Sequence, residues 1–367
     1  MTSTALYEVR LRVTRRRWLG VISRAYLDTL AHHPAVRVTA VADLDPARSE
    51  AVAAVVEHAE SMPVDRLLAS PDVDAVLNLT IPAAHVDIDL GAIGNGKDVY
   101  SEKPLAVTFD DARRVLDAAT AAGVRVGCAP DTVLGTGTQT ARAAIDAGRI
   151  GRPLAATATM VTPGHERWHP DPDFYYRPGG GPLLDIGPYY ITSLVHLLGP
   201  VRAVVGAGSR LRGERVIGSG PRAGERIAVE VDSHVTGVLY HEGGALSTVT
   251  TTFDGVATTA APIEVHGEAG TLRVPDPNRF DGSPAVFELG SSAWEPLSPL
   301  AGYVDSGRGV GLLDFLAGPA RASGDVALHV LEVMTAMLRS AGEGRRIDLT
   351  TTVERPAAVP LTPVGEW

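Results

Sequence analysis

The sequence predicts an α/β chain in two parts: an N-terminal doubly wound parallel-sheet domain, then an α+β domain with a largely antiparallel open sheet. Three observations carry this. Short apolar runs alternate with helical segments from Val9 to about Cys128. Beyond Cys128, strand-like alternation broken by hairpin signals takes over. And 367 residues exceed one ordinary domain and suit two. The boundary falls at Cys128, giving domains 1–128 and 129–367.

Strands are expected at Val9–Val13, Val36–Ala42, Ala75–Thr80, Asp98–Ser101 and Val124–Cys128, with helices opening near Gly20, Pro46, Pro82 and Thr108. Strands that are apolar nearly throughout, each followed by a helix, indicate a parallel sheet covered on both faces. With right-handed crossovers, a ligand sits at the carboxyl ends of such strands. The first strand-to-helix turn should then carry glycines that let backbone N–H groups approach a pyrophosphate.

Only part of that turn is present. A G-x-G-x-x-G/A pattern would need glycine at 18 and 20 and a small residue at 23; the chain supplies Trp18, Gly20 and Ser23. Arg15, Arg16 and Arg17 put three charges where a buried strand end belongs, which is costly without partners. Either the turn is remodelled, weakening or abolishing cofactor binding, or the reading frame has slipped over a few codons. A one-base shift would give something like Gly-Val-Gly-Gly at 15–18, and we favour the slip. Resequencing the segment decides it. Gly20, Ile22 and Ser23 are the cofactor-contacting candidates on this turn.

Asp43 ends the second strand, 23 positions beyond Gly20. An acidic residue about 20 positions past the turn accepts a ribose hydroxyl and repels a 2′-phosphate. Asp43 could also cap the helix opening at Pro46, a role that Asp45 fills equally well. Asp43 favours NAD, while Arg48 keeps NADP possible. Thr80, Pro82 and His85 follow the next strand toward the same crevice, although His85 could be a mere first-turn surface residue. Ser101-Glu102-Lys103-Pro104 closes the strand after it. Alone, that tetrapeptide reads as a strand end closed by an X-Pro turn.

In the second part, a helix is expected around Gln139–Ala147, then strands at Leu154–Val161, Ala203–Ser209, Ile227–Tyr240, Ala245–Phe253, Ile263–Val265 and Thr271–Val274. Glu242-Gly243-Gly244 and Glu268-Ala269-Gly270 read as hairpin turns. Arg210–Arg226, rich in glycine and arginine, is expected to be a mobile loop. Two closing helices, 309–321 and 325–341, carry apolar spacing that suits core packing.

The run Gly179-Gly180-Gly181-Pro182-Leu183-Leu184-Asp185-Ile186-Gly187-Pro188-Tyr189-Tyr190 suits a chain entering a helix at close quarters. Asp185 and Tyr189 are four apart and share a face. Together they could hold and deprotonate a hydroxyl, or form a buried hydrogen bond that supports packing. Upstream, Gly164-His165-Glu166-Arg167-Trp168-His169-Pro170 mixes polar and aromatic groups in the manner of a sugar-lining loop. A metal at His165, Glu166 and His169 is the weaker idea, because no defined helical ligand spacing is present.

With these residues in place, the chain resembles the glucose–fructose oxidoreductase / inositol dehydrogenase (Gfo/Idh/MocA) family over nearly its whole length. The resemblance rests on Glu102-Lys103-Pro104 after the fifth strand and Gly179-Gly180-Gly181…Asp185-Ile186-Gly187-Pro188-Tyr189. It implies NAD(P)-dependent hydride transfer to or from a secondary alcohol or carbonyl of a sugar, polyol or cyclitol-like substrate. It also implies Lys103, Asp185 and Tyr189 as the catalytic group; Glu102 and Lys103, on the carboxyl-end side of the sheet, are further cofactor-contacting candidates, and Trp168 and His169 of the polar-aromatic loop are substrate-contacting candidates. Tyr189 stands where many members carry histidine. Two other readings stay open: a sugar-binding regulatory protein without turnover, and an NAD-dependent glycoside hydrolase.

Composition narrows the classes. A net charge of −10 argues against a nucleic-acid partner. The single cysteine, Cys128, forbids an intramolecular disulfide and a thiolate metal cluster, and no metal is expected. No apolar run approaches a membrane span. Thr14–Leu19 superficially resembles a twin-arginine export signal, but Arg24 and Asp28 interrupt the apolar stretch such a signal needs. A cytoplasmic protein is expected, self-associating through an exposed face of its second sheet.

Overall fold

The computed structural model describes residues 7–13, 21–31, 33–318 and 320–367. The glycine-turn candidate Gly20 and the segment Arg15–Trp18 lie outside the described residues. The chain forms two compact units, one of residues 1–135, 303–328 and 361–367, the other of residues 136–302 and 329–360.

The first unit runs β1 (Tyr7–Val13), α1 (Val21–Leu30), β2 (Val36–Ala42), α2 (Pro46–Ala53), β3 (Glu60–Ser61), α3 (Val64–Ala69), β4 (Ala75–Leu79), α4 (Pro82–Gly94), β5 (Asp98–Ser101), α5 (Phe109–Ala122) and β6 (Val126–Cys128). Its sheet has the order β3-β2-β1-β4-β5-β6, with every pairing parallel. The strand order reverses between β1 and β4, the place where such sheets open a ligand crevice. Every residue of β4 is buried, as a strand covered on both faces requires. Of the two cap candidates for α2 it is Asp45 that caps, its side chain accepting from Ala47 N, with Pro46 pre-set at the first helical position. Thr108 caps α5, which stops at Gly123 in the left-handed region, φ 70°.

The second unit holds α6 (Thr136–Asp146), β7 (Pro153–Val161), α7 (Pro182–Leu198), β8 (Val201–Ser209), β9 (Glu214–Val216), β10 (Arg226–Ala228), β11 (His234–His241), β12 (Leu246–Thr252), β13 (Ile263–Gly267), β14 (Gly270–Val274), β15 (Ala285–Glu288) and β16 (Glu295–Pro296). After them come α8 (Val310–Ala317), which belongs to the first unit, then α9 (Gly324–Glu343) and β17 (Ile347–Asp348). The large sheet runs β16-β15-β14-β13-β7-β12-β11-β8-β17. It is antiparallel except where β12 pairs with β7. Helices α7 and α9 cover one face, Gly187 of α7 lying against Met334 of α9. α9 lies so close to β8 that a Cβ at Gly206 would sit 2.2 Å from the Met337 carbonyl oxygen.

Three expectations need correcting. Arg210–Arg226 is not a bare loop: β9 lies within it and pairs antiparallel with β10, which begins at its last residue, and Arg215 of β9 is drawn inward by carboxylates from elsewhere in the unit. Residues 227–240 are not one strand; β10 belongs to that small sheet and β11 starts only at His234. The first unit is also not one continuous stretch. Cys128 N–H donates to the Ala322 carbonyl at 2.9 Å. The buried Asp131 carboxylate accepts from Gly309 N at 2.8 Å and Gly311 N at 3.2 Å. Burial raises the Asp131 pKa, opposed by Arg308 and these two N–H groups.

Candidate functional site

In the first unit the chemistry-bearing residues gather at the carboxyl ends of β2, β4 and β5. Asp43, just past β2, is 6% exposed, and its Oδ1 accepts from Asp45 N at 2.9 Å. It lines a recess of about 450 Å³ together with Leu44, Pro46, Ser61, Met62 and Pro63. A buried carboxylate beside a part-apolar recess fits the adenosine end of a dinucleotide. Arg48 is turned to Asp45, Nε to Oδ2 at 3.4 Å. Of the two candidates at the start of α1, Ser23 is buried and Ile22 half-buried.

Thr80 closes β4, buried, its N–H donating to Asn78 Oδ1 at 3.1 Å. Pro82 opens α4 and is exposed. His85 is neither at the surface nor in an open crevice: it is fully buried, Nδ1 lying 2.7 Å from the Pro104 carbonyl oxygen and Nε2 3.0 Å from that of Thr80. Its ring therefore faces the protein's own backbone.

Glu102 is 8% exposed. Its Oε1 accepts from the Tyr26 hydroxyl at 2.9 Å and its Oε2 from Lys103 N at 3.0 Å. Burial, and next the Glu102 charge, push the Tyr26 phenol well above its usual pKa, so Tyr26 remains a donor. The motif's carboxylate is thereby an anchor that fixes the backbone of Lys103, leaving the lysine half-buried at the strand end. Burial likewise pushes the Cys128 thiol well up, with Glu102 adding to the effect, so that thiol is not a nucleophile.

In the second unit the glycine run meets α7 as its sequence demands. A Cβ at Gly180 would lie 2.3 Å from the Phe174 carbonyl oxygen, and Gly181 has φ +94°. Pro182 occupies the first turn. Asp185 and Tyr189 follow one helical turn apart, Asp185 half-buried and Tyr189 buried. Asp185 Oδ2 lies 3.1 Å from His165 Nε2. That pairing was not foreseen, since His165 lies twenty residues upstream and no sequence spacing announces the contact.

Around His165 stand Phe253 at 4.5 Å, Tyr175 at 4.6 Å and Trp168 at 5.3 Å between ring centroids. Trp168 is 60% exposed. His169 is half-buried, within 5.4 Å of both Trp168 and Phe174. Burial lowers its pKa, which keeps the ring neutral near pH 7. Glu166 turns the other way. It accepts from the Tyr176 hydroxyl and from Arg215 Nη1 at 3.1 Å, while Arg215 Nη2 reaches Asp254 at 2.6 Å. His165, Glu166 and His169 thus do not converge.

Two family models match the chain: "Oxidoreductase family, NAD-binding Rossmann fold" over residues 19–129 and "GFO/IDH/MocA C-terminal domain" over residues 138–273. A 1,5-anhydro-D-fructose reductase of Ensifer adhaerens is 34% identical over 216 residues, 57% of this chain and 59% of the relative. An inositol 2-dehydrogenase of Pseudomonas fluorescens is 40% identical over 123 residues, 32% of this chain and 36% of the relative. The matches thus span less than two thirds of these curated relatives. Among solved structures, an NAD binding oxidoreductase from Klebsiella pneumoniae superposes with a TM-score of 0.80 at 23% identity, covering 95% of this chain and 100% of that one. Levoglucosan dehydrogenase in complex with NADH and levoglucosan gives 0.75 at 21% identity, covering 94% and 99%. At these identities the superpositions establish the fold.

Proposed function

The chain belongs to the Gfo/Idh/MocA oxidoreductase family, and on that premise we propose that it moves a hydride between NAD and a secondary alcohol or carbonyl of a sugar, polyol or cyclitol-like substrate. The observation that carries the reading is the half-buried Lys103. It is presented at the carboxyl end of β5 by the Glu102 anchor, on the same sheet edge as Asp43 and its recess. An ammonium held at that edge suits a reacting oxygen better than it suits packing.

Nicotinamide, when bound, supplies the hydride acceptor or donor. Asp43 receives the adenosine ribose hydroxyls and, as a buried carboxylate, opposes a 2′-phosphate, which favours NAD over NADP. Thr80 and Pro82 form the neighbouring lip. We assign the hydroxyl chemistry to Lys103, Asp185 and Tyr189. Asp185 orients the substrate hydroxyl, and Tyr189 or Lys103 takes its proton as the hydride leaves carbon. His165 steadies the Asp185 carboxylate from the loop side. Trp168 and His169 offer aromatic surface to the C–H face of a sugar-like ring.

The large sheet's face away from α7 carries half-buried or exposed Thr157, Thr159, Thr236, Thr248 and Thr250, and we assign self-association to it. No helix of the described residues is long and apolar enough to cross a membrane. We assign the protein to the cytoplasm.

Lys103→Met tests the assignment. The variant should fold and bind NAD with little change, yet lose turnover by about a hundredfold to ten-thousandfold. Unchanged turnover would remove Lys103 from the chemistry. NAD binding by the wild type without oxidation of any polyol would point instead to the non-catalytic sugar-binding reading.

A further inference from the structure

A polar cluster with no contact to solvent lies beneath the Lys103 turn, and none of the roles above uses it. His85, Asp89, Asn78 and Ser101 are each 0% exposed. The two ring nitrogens of His85 face carbonyl oxygens, Pro104 at 2.7 Å and Thr80 at 3.0 Å. A neutral imidazole has one N–H and one lone pair, so it would set that lone pair against a carbonyl; only an imidazolium donates to both. A buried cation needs a countercharge. Asp89 stands four residues on along α4, on the same helical face. Its Oδ1 accepts from Asn78 Nδ2 at 2.7 Å, and both of its oxygens lie within 2.8 Å of the Ser101 hydroxyl.

We propose that His85 is a positioning residue: as an imidazolium bridging the Pro104 and Thr80 carbonyls, with the Asp89 carboxylate one helical turn on as its countercharge, it pins the Lys103–Pro104 turn to the carboxyl end of β4 and so sets where Lys103 is presented. The pin joins the two strand ends that carry Thr80 and Lys103. Its link to turnover rests on the hydride-transfer reading above; its protonation does not.

The arrangement also makes the turn sensitive to pH. Burial pushes the Asp89 carboxyl up to about 6, against the pull of His85 and the hydrogen bonds from Asn78 and Ser101. Cys128 on β6 also senses Asp89, together with Glu102 and Lys103, and its thiol stays protonated. As pH falls through about 6, Asp89 takes a proton and the imidazolium loses its countercharge.

Nitrogen-15 NMR of histidine-labelled wild-type protein tests the charge state, with the His85 signals assigned by their loss in His85→Gln. Both ring nitrogens should be protonated at neutral pH; a neutral single tautomer overturns the pin. Asp89→Asn is close to isosteric and should fold where a histidine variant fails. It should lower kcat by roughly tenfold to a hundredfold, the scale of a displaced catalytic group. Its NAD affinity by fluorescence should stay near wild type, and the wild-type fall in rate below about pH 6 should vanish. Unchanged kcat, or NAD affinity lost in step with kcat, would refute positioning. A wild type that turns over no polyol at all counts against the functional reading, and the NMR result then decides the pin alone.

Discussion

Replacing Tyr26 with phenylalanine isolates the anchor under the Lys103 turn. The ring is fully buried and its volume is nearly unchanged by the substitution, so no cavity term enters. What is lost is one donor, the hydroxyl 2.9 Å from Glu102 Oε1. Tyr26 is neutral at working pH because burial and Glu102 both raise its pKa, so the change deletes a hydrogen bond and no charge. Hydrogen bonds to charged groups contribute about 1.5–3 kcal/mol. With Glu102 only 8% exposed, solvent cannot replace the donor, so the upper half of that range, about 2–3 kcal/mol, is expected. Spread over a unit of this size, that lowers its melting transition by roughly 4–12 °C. The sign with pH follows. A phenol whose folded pKa is raised stabilises the fold below its unfolded value near 10 and loses that contribution as pH rises further. The wild type should therefore soften in strong alkali, and Tyr26→Phe should soften less. Differential scanning calorimetry and Lys103-dependent turnover are the readouts. A variant that melts within about 1 °C of wild type, against the scale above, and keeps full kcat would show that the Tyr26–Glu102 bond neither stabilises the unit nor holds the lysine.

Two further substitutions probe other parts. Asp43→Ala should cost NAD roughly tenfold to a hundredfold in affinity, the value of one lost buried acceptor, while raising the relative use of NADP; an unchanged preference in steady-state kinetics would take Asp43 out of ribose recognition. Arg215→Met leaves Glu166 and Asp254 without their shared cation, at side-chain exposures of 5% and 25%. Breaking a buried pair of this kind should cost about 3–5 kcal/mol in urea unfolding of the second unit, and a loss under about 1 kcal/mol, surface-pair size, would contradict it.

Local patterns were the legible ones. Ala75–Leu79 announced a strand covered on both faces, and Asp185 with Tyr189 announced a shared helical face, because each depends on spacing within one element. Glycine at 180 was readable for the same reason, a backbone with no room for a side chain. His165 and Arg215 were not readable in this way. Each is defined by partners far along the chain, Asp185 for the first and Glu166 and Asp254 for the second, and composition gives no hint of such pairings. His85 shows a different limit. Its place after β4 suggested a cofactor lip, but a sequence does not reveal that the ring turns inward onto Pro104 and Thr80. Glu102, too, was read as a cofactor-side residue from its position along the chain, and its carboxylate serves Tyr26 and the Lys103 N–H.

The return of residues 303–328 and 361–367 to the first unit has a consequence for how the protein is made. On the ribosome, all six parallel strands emerge before half the chain exists, yet β6 meets Ala322 and Ser323, and Asp131 meets Gly309, only after nearly two hundred further residues have been translated. Until then one edge of the nucleotide-binding sheet waits with its backbone groups unpaired, the kind of edge that recruits strands from neighbouring chains. A fragment cut at residue 128 or 135 would stay in that waiting state permanently. The nascent chain is therefore vulnerable to aggregation through the whole interval between the emergence of β6 and that of residues 309–323, when its first sheet is already built.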